Sequence, residues 1–290
     1  MSATVHELTS QPTLWRHAGG LEPDPALPAN GQRLAVVGCG TSLYIAQAYA
    51  RTREDAGHGE TDAFPASEMP AARRYDAVLA LSRSGTTTEV LMALERLPAG
   101  TPTVALTAVA DSPLAEAAGT PVVLAFADER SVVQTRFATT ALVYLRAHLG
   151  IDPAGAADAA EAVLTDPLPV DPAAFDRFHF LGSGWTVGLA AEAALKLREA
   201  GRAWTESYPA MEYRHGPIAT ADGRTLVVAF GPLDEALASD IRATGARVLD
   251  AGPEPLATLV LCQRLAVDLA VARGFDPDTP RNLTRSVVLS

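Results

Sequence analysis

The stretch Val36–Ala50, VVGCGTSLYIAQAYA, decides the fold, because its pattern returns at Phe180–Lys196 as FLGSGWTVGLAAEAALK. Each opens on a short apolar run, turns on two glycines and continues with apolar residues at helical spacing. That is strand, tight turn, helix: the first half of a βαβ unit. Outward from the first copy, Tyr75–Leu97 (YDAVLALSRSGTTTEVLMALERL) repeats the grammar, and Thr101–Val109 and Pro121–Glu129 add two buried-strand runs. Ser131–His148 reads as one long helix. Outward from the second copy, Gly223–Gly252 supplies strand, helix and strand. Strands alternating with helices predict parallel sheets with helices on their faces, and the internal likeness predicts two copies of one α/β domain.

The segment around Ile151–Asp171, rich in Pro, Ala and Asp, is the natural boundary, although AADAAEAVL within it suits a helix. At the N-terminus an amphipathic stretch, Val5–His17, precedes a Pro-rich connector (LEPDPALPANG) that excludes regular helix. The expected division is 1–24 as an N-terminal helical segment, 25–152 as the first domain, and 153–290 as the second domain with a C-terminal tail.

The 290 residues suffice for two domains with real cores. A net charge of −11 argues against a general nucleic-acid binder, whose surface would repel the phosphate backbone, but allows a locally positive pocket for a small anion. Cys39 and Cys262 stand far apart, without metal-ligand spacing or a disulfide framework. The N-terminus lacks the regions of a signal peptide, and no apolar run of about 18 residues stands out as a membrane span. The expectation is a cytoplasmic protein. Of 23 basic residues, Lys196 is the single lysine; in a chain that otherwise uses arginine, a lone ammonium suggests that the ammonium itself is needed.

Three motifs carry chemistry. In VVGCGTS, Gly38 and Gly40 form the turn, and Thr41 and Ser42 open a helix whose free N–H groups suit a phosphate. The same residues would also serve a plain turn and an N-cap. A third glycine of the dinucleotide fingerprint is missing. In SRSGTTTE, Ser82, Ser84, Thr86, Thr87 and Thr88 crowd around Gly85 with Arg83 alongside, more hydroxyls than capping requires and a donor set fit for a phosphate monoester. In ALKLREAGRAWTESYPAMEYRHGPIA, Glu192, Lys196 and Glu199 fall at i, i+4 and i+7 on one helix face. A surface salt-bridge ladder has this spacing too, but the flanking Ala193, Ala194, Leu195 and Leu197 are apolar, which suits a partly enclosed face. A carboxylate beside an ammonium there can carry a proton between adjacent carbons. His215 follows in a loop, where an imidazole can move a proton at a sugar ring oxygen.

Taken in order, these segments resemble the SIS (sugar isomerase) superfamily, specifically the isomerase portion of glucosamine-6-phosphate synthase and its stand-alone relatives. HELTSQP (6–12), CGTS (39–42), SRSGTT (82–87), ERSVVQTRFAT (129–139), which contains Val132, ALKLRE, HGP and PRNLTRSV (280–287) are similar to that family's signatures. The resemblance implies two tandem SIS domains with flavodoxin-like parallel sheets, a homodimer with shared active sites, and no metal or organic cofactor. It implies a phosphosugar site of Cys39, Gly40, Thr41, Ser42, Ser82, Arg83, Ser84, Thr87, Val132, Glu192 and Arg285. Glu199 would move a proton between C1 and C2, Lys196 would assist, and His215, from a neighbouring subunit, would open the ring. Arg285 stands where the synthase has a Schiff-base lysine, and arginine stays protonated. Arg83 replaces a glutamine, and the glutaminase portion is missing, so a synthase is not expected. The expected function is an aldose–ketose isomerase or amino-sugar-6-phosphate deaminase of the hexose 6-phosphate class. The rivals are a fructosamine-6-phosphate deglycase and a non-catalytic sugar-phosphate sensor, the latter having no need of Lys196, Glu199 and His215 together.

Overall fold

The computed structural model describes residues 2–289, the side chain of Asp250 apart. The chain gathers into two compact units: Thr13–Ala154 with the chain from Thr284 onward, and Gly155–Leu283 with the chain up to Pro12. The tail expected with the second domain thus belongs with the first sheet, and the N-terminal segment divides between the units. Local hydrogen bonds explain both outcomes: the tail is held by the loop at Arg83, and Asp278 holds the N-terminus. Before the sheets come two helices, α1 (Ala3–Thr9) and α2 (Gln11–Gly19), in place of one amphipathic stretch. The break falls at Ser10, whose hydroxyl turns back to the carbonyl of Glu7, and Pro12 then opens α2.

The first unit is built from β1 (Leu34–Gly38), α3 (Thr41–Asp55), β2 (Thr61–Pro65), β3 (Ala77–Leu81), α4 (Thr88–Glu95), β4 (Thr103–Thr107), α5 (Pro113–Ala117), β5 (Thr120–Val123) and α6 (Arg136–His148). All strand pairs are parallel, in the order β2-β1-β3-β4-β5. β1 and β3 are buried at every position, as unbroken apolar runs must be when both faces of a parallel sheet are covered. The chain moves from β1 to one neighbour, β2, and then returns to the other, β3. That reversal makes a crevice at the carboxyl ends of β1 and β3, where Gly38 and Leu81 finish their strands. α6 is shorter than the sequence pattern suggests. The Glu129 carboxylate accepts from the backbone N–H groups of Thr135 (2.6 Å) and Arg136 (2.7 Å), so the helix begins there and 131–135 stay turned. The strand expected through Pro121–Glu129 likewise stops at Val123, before a 3-10 turn at Ala125–Ala127.

The second unit contains α7 (Ala154–Thr165, which starts one residue before it), β6 (Arg177–Gly182), α8 (Thr186–Gly201), β7 (Trp204–Pro209), β8 (Thr225–Phe230), α9 (Glu235–Ala243), β9 (Arg247–Asp250) and α10 (Pro255–Ala272). Its four parallel strands run β7-β6-β8-β9, the same order as the first four of the other sheet. The likeness reaches the turns. A Cβ on Gly38 would lie 2.7 Å from the backbone of Ser42, and one on Gly182 2.4 Å from that of Thr186, so each helix packs on its strand only over a glycine. β2 and β7 both end in proline and lead into 3-10 turns, with Pro65 at φ −54°, ψ 133° and Pro209 at φ −56°, ψ 133°. α10 was not foreseen. By length and composition it could cross a membrane, but 72% of it is buried, and it packs along α8 as a core helix. Two of its polar side chains reach other segments of the chain: Gln263 accepts from Gln11, and Arg264 donates to backbone carbonyls at Val163 and Asp166.

Candidate functional site

The loop between β3 and α4 is the first element of the site. Gly85 sits at φ +64°, and a Cβ there would fall 2.1 Å from the hydroxyl of Ser112, so only glycine fits. Around it the hydroxyls bond to the loop and to one another. Ser82 accepts from the Gly85 N–H (3.2 Å) and lies 3.2 Å from Thr87 Oγ1. Ser84 Oγ accepts from the N–H of Thr86 (3.2 Å) and from its hydroxyl (3.0 Å). No side chain caps α4, nor α3, so the capping explanation for these hydroxyls does not hold at either turn. Cys39 and Gly40 form the turn after β1, with Gly40 at φ +53°, and Thr41 and Ser42 open α3, both buried. Burial and the charge of Glu89 push the Cys39 thiol above its ordinary value, against a backbone hydrogen bond at Ala66, so it is no ready nucleophile.

Sequence reasoning missed Ser286. Its hydroxyl accepts from Ser84 (3.0 Å) and from Thr86 (2.8 Å), closing a three-hydroxyl cluster. The next residue, Val287, accepts from the N–H of Thr88 (3.2 Å), the first residue of α4. The only sequence signal was the match of the tail to a family signature. Arg83, expected at the phosphosugar site, lies in the interior of the first unit. It is fully buried, and its guanidinium donates to the carbonyls of Ser131 (2.8 Å) and Arg285 (2.6 Å), with Glu129 3.8 Å away. Arg285 turns its own side chain to Asp128 (2.5 Å) and to the carbonyl of Glu129 (3.0 Å). Both arginines clamp the tail beside the hydroxyl loop. Val132 is half-buried in the turn before α6.

In the second unit α8 carries the expected triplet. Lys196 is fully buried, 3.3 Å from Glu192 and 2.6 Å from Glu199. Burial pulls its ammonium toward deprotonation, and the two carboxylates more than offset that, so its pKa lies above the usual lysine value. At neutral pH it is a fixed cation. Glu199 keeps one edge exposed, whereas Glu192 is enclosed. His215 lies after β7 at the end of a 3-10 turn, exposed, its ring hydrogen-bonded to no described residue. No group of three or more His, Cys, Asp or Glu among the described residues is arranged to hold a metal ion.

The SIS domain model matches residues 29–149, the segment that holds the loops after β1 and β3. Residues 29–149 are an SIS domain. Among curated proteins the chain is similar to the glutamine–fructose-6-phosphate aminotransferase (isomerizing) of Caulobacter vibrioides, at 31% identity over 100% of this chain and 58% of that protein. The same-named protein of Sulfurisphaera tokodaii is 29% identical over 90% of this chain and 50% of its own length. The chain thus spans about half the length of the curated relatives it matches. Among solved structures it is similar to a glucosamine-6-phosphate deaminase from Thermotoga maritima, with a TM-score of 0.86 and 27% identity over 99% of this chain and 100% of that one. The tagatose-6-phosphate ketose/aldose isomerase of Escherichia coli has the same fold, with a TM-score of 0.79 at 22% identity over 100% of this chain and 96% of that one. The SIS domain therefore sits in a chain whose relatives are named for chemistry on sugar phosphates.

Proposed function

We propose that the protein is a cytoplasmic phosphosugar isomerase or deaminase of the hexose 6-phosphate class, working as a homodimer of two tandem SIS domains with shared active sites. The observation that carries the reading is the set Glu192, Lys196 and Glu199, with the chain's one lysine buried between a buried and a partly exposed carboxylate. In this reading Ser82, Ser84, Thr87, Thr41 and Ser42 bind the 6-phosphate, with Ser286 added from the tail. His215, supplied by the neighbouring protomer, moves the proton that opens the ring. Glu199 then takes the proton from C2 and returns it to C1, through an enediol for a plain sugar or an enolamine for an amino sugar. With a plain sugar the product is the ketose. With glucosamine 6-phosphate the product is the C2 imine, and water adds to it and releases ammonia, leaving fructose 6-phosphate. Lys196 supports this as a fixed cation that holds Glu199 in place. Binding energy from the phosphate orients C1 and C2 under the base. The chain's similarity to a glucosamine-6-phosphate deaminase over nearly its full length supports the deaminase form.

The test is ammonia and fructose 6-phosphate release from glucosamine 6-phosphate, beside glucose 6-phosphate isomerisation, for the wild type and Glu199→Gln. Turnover that falls by about 10²–10⁴-fold in the variant supports the reading. An unchanged rate removes Glu199 as the base, and tight binding without turnover of any hexose phosphate makes the protein a sensor.

A further inference from the structure

His215, the ring-opening group of the proposed mechanism, is exposed, and its ring is hydrogen-bonded to no described residue. Its place is therefore set by the backbone that carries it, which is the end of the 3-10 turn Ala210–Arg214. Hydrogen bonds in such turns are poorly aligned, so a short one takes its orientation from what it packs against. The two side chains before His215 seat the turn. Arg214 reaches α9, 2.9 Å from Asp240 and 3.5 Å from the N-cap residue Asp234, in half-exposed pairs that salt weakens. Tyr213 goes the other way, fully buried in the core beside Leu181, Val227, Leu237 and Ile241. Its hydroxyl lies 2.7 Å from Nδ1 of His179, within β6 and itself fully buried. Across the β6–β7 pair His179 faces Glu206, whose carboxylate is 3.7 Å from Nε2 and accepts from the Tyr208 hydroxyl at 2.9 Å. Burial lowers the pKa of the imidazole, against the pull of Glu206, and burial raises that of the Tyr213 hydroxyl. Both groups are thus neutral: Tyr213 donates, Nδ1 accepts, and the ring proton sits on Nε2 toward Glu206.

Stability gives little reason for this pair. An all-apolar pair at 179 and 213 would fill the same space at little net cost, because a buried hydrogen bond replaces one made to water. What the hydrogen bond adds is direction. It fixes the angle at which the tyrosine enters the core, which apolar contact, being non-directional, leaves loose. We infer that His179 and Tyr213 are positioning residues for the reaction, a buried hydrogen-bonded pair that seats the turn before His215 and so aims its imidazole at the sugar ring oxygen. The inference rests on the reading of His215 as the group that opens the ring. Both residues are fully buried, so neither touches substrate and both act through His215. Misplacing a reacting group by about 1 Å can cost about 10²-fold in rate, so a loosened turn shows in kcat while the phosphate-binding hydroxyls stay as they are.

Steady-state kinetics of the full chain on glucosamine 6-phosphate and glucose 6-phosphate test this with Tyr213→Phe, His179→Leu, the two combined, and each in a His215→Asn background. His215→Asn alone is expected to lower kcat by about 10²-fold or more. Tyr213→Phe or His179→Leu should lower it by about tenfold, with KM within about twofold of wild type. In the His215→Asn background neither should cost more than about twofold, because the group they act through is already gone. The combined variant separates position from packing. With both polar groups removed its melting temperature should return close to that of the wild type, whereas kcat stays about tenfold low. Recovery of kcat along with the melting temperature, full-sized losses in the His215→Asn background, or an unchanged kcat in Tyr213→Phe overturns the inference. His215→Asn reports separately on the ring-opening reading. If it lowers kcat while Tyr213→Phe does not, only the positioning pair falls; if it changes nothing, or the wild type turns over neither sugar, both readings fall.

Discussion

Lys196 is enclosed on every side, with a carboxylate one turn before it and another one turn after. Removing it would leave Glu192 and Glu199 facing each other without a cation, so Lys196→Met is expected to cost about 3–5 kcal/mol in denaturant unfolding. Its pH signature follows from the raised pKa. The stabilisation is complete below the ordinary lysine value of 10.5 and disappears as the pH climbs through the higher folded-state value. Stability from this group should therefore stay flat between about pH 6 and 9 and fall only in strong alkali. A chain that instead loses it near neutrality would show that the ammonium is not held by the two acids. Ser286 makes the second residue-scale test. Ser286→Ala takes one donor from the hydroxyl cluster, and sugar-phosphate affinity should drop by about tenfold, as for one hydrogen bond to a charged group, with the melting temperature little changed.

The two sheets share an order and a turn geometry, yet their switch-point loops differ in chemistry. After β3 the chain offers five hydroxyls around Gly85, whereas after β8 Asp234 uses its carboxylate to accept from the N–H of Leu237 and cap α9. After β6 the hydroxyl of Thr186 is spent on the carbonyls of Ser183 and Phe230. An acid at one loop, and at the other only the exposed Ser183 beside an engaged Thr186, against five hydroxyls after β3, make the second crevice a poorer phosphate site, so one sugar phosphate per chain is the expected stoichiometry, measurable by calorimetry. Gly85→Ala should cripple the loop, because the added carbon meets Ser112 and a left-handed φ is strained for alanine. The expected cost is about 1–3 kcal/mol of stability together with loss of phosphate binding. α1 depends on a residue far along the chain: Asp278 accepts from Ser2, from the N–H groups of Ala3 and Thr4, and from the Thr4 hydroxyl. Burial resists the ionised form, but these hydrogen bonds prevail and hold the Asp278 carboxyl down at about 2. Its contribution is thus present above the ordinary value of 3.8 and is lost as the pH falls toward 2. Asp278→Asn should cost about 1 kcal/mol at neutral pH, with wild type and variant converging in acid.

At the scale of the molecule the two ends of the chain each join the unit that the other end of the sequence builds. Residues up to Pro12 gather with the second sheet and those from Thr284 onward with the first. A chain ending at Leu283 would strip Arg83 of one carbonyl, Thr88 of its acceptor and the hydroxyl loop of Ser286. Sugar-phosphate affinity is expected to fall by at least about tenfold, and the first unit to lose about 1–3 kcal/mol, while the second keeps its fold. Retained affinity would separate the tail from the phosphate loop.

The alternation of apolar strands and helices, the glycine turns at Gly38 and Gly182, and the Glu192–Lys196–Glu199 face were all legible in the sequence, because period and spacing are local properties of the chain. The edge strands β2 and β7 were not, since half-exposed strands carry no apolar run, and α10 lacked the polar face that marks an amphipathic helix. What Arg83 and Arg285 do, where Ser286 lies and what His179 meets were decided only by tertiary structure. Each depends on a partner many residues away, and whether a guanidinium meets a carbonyl, a carboxylate or open space is a matter of long-range packing that residue type cannot encode.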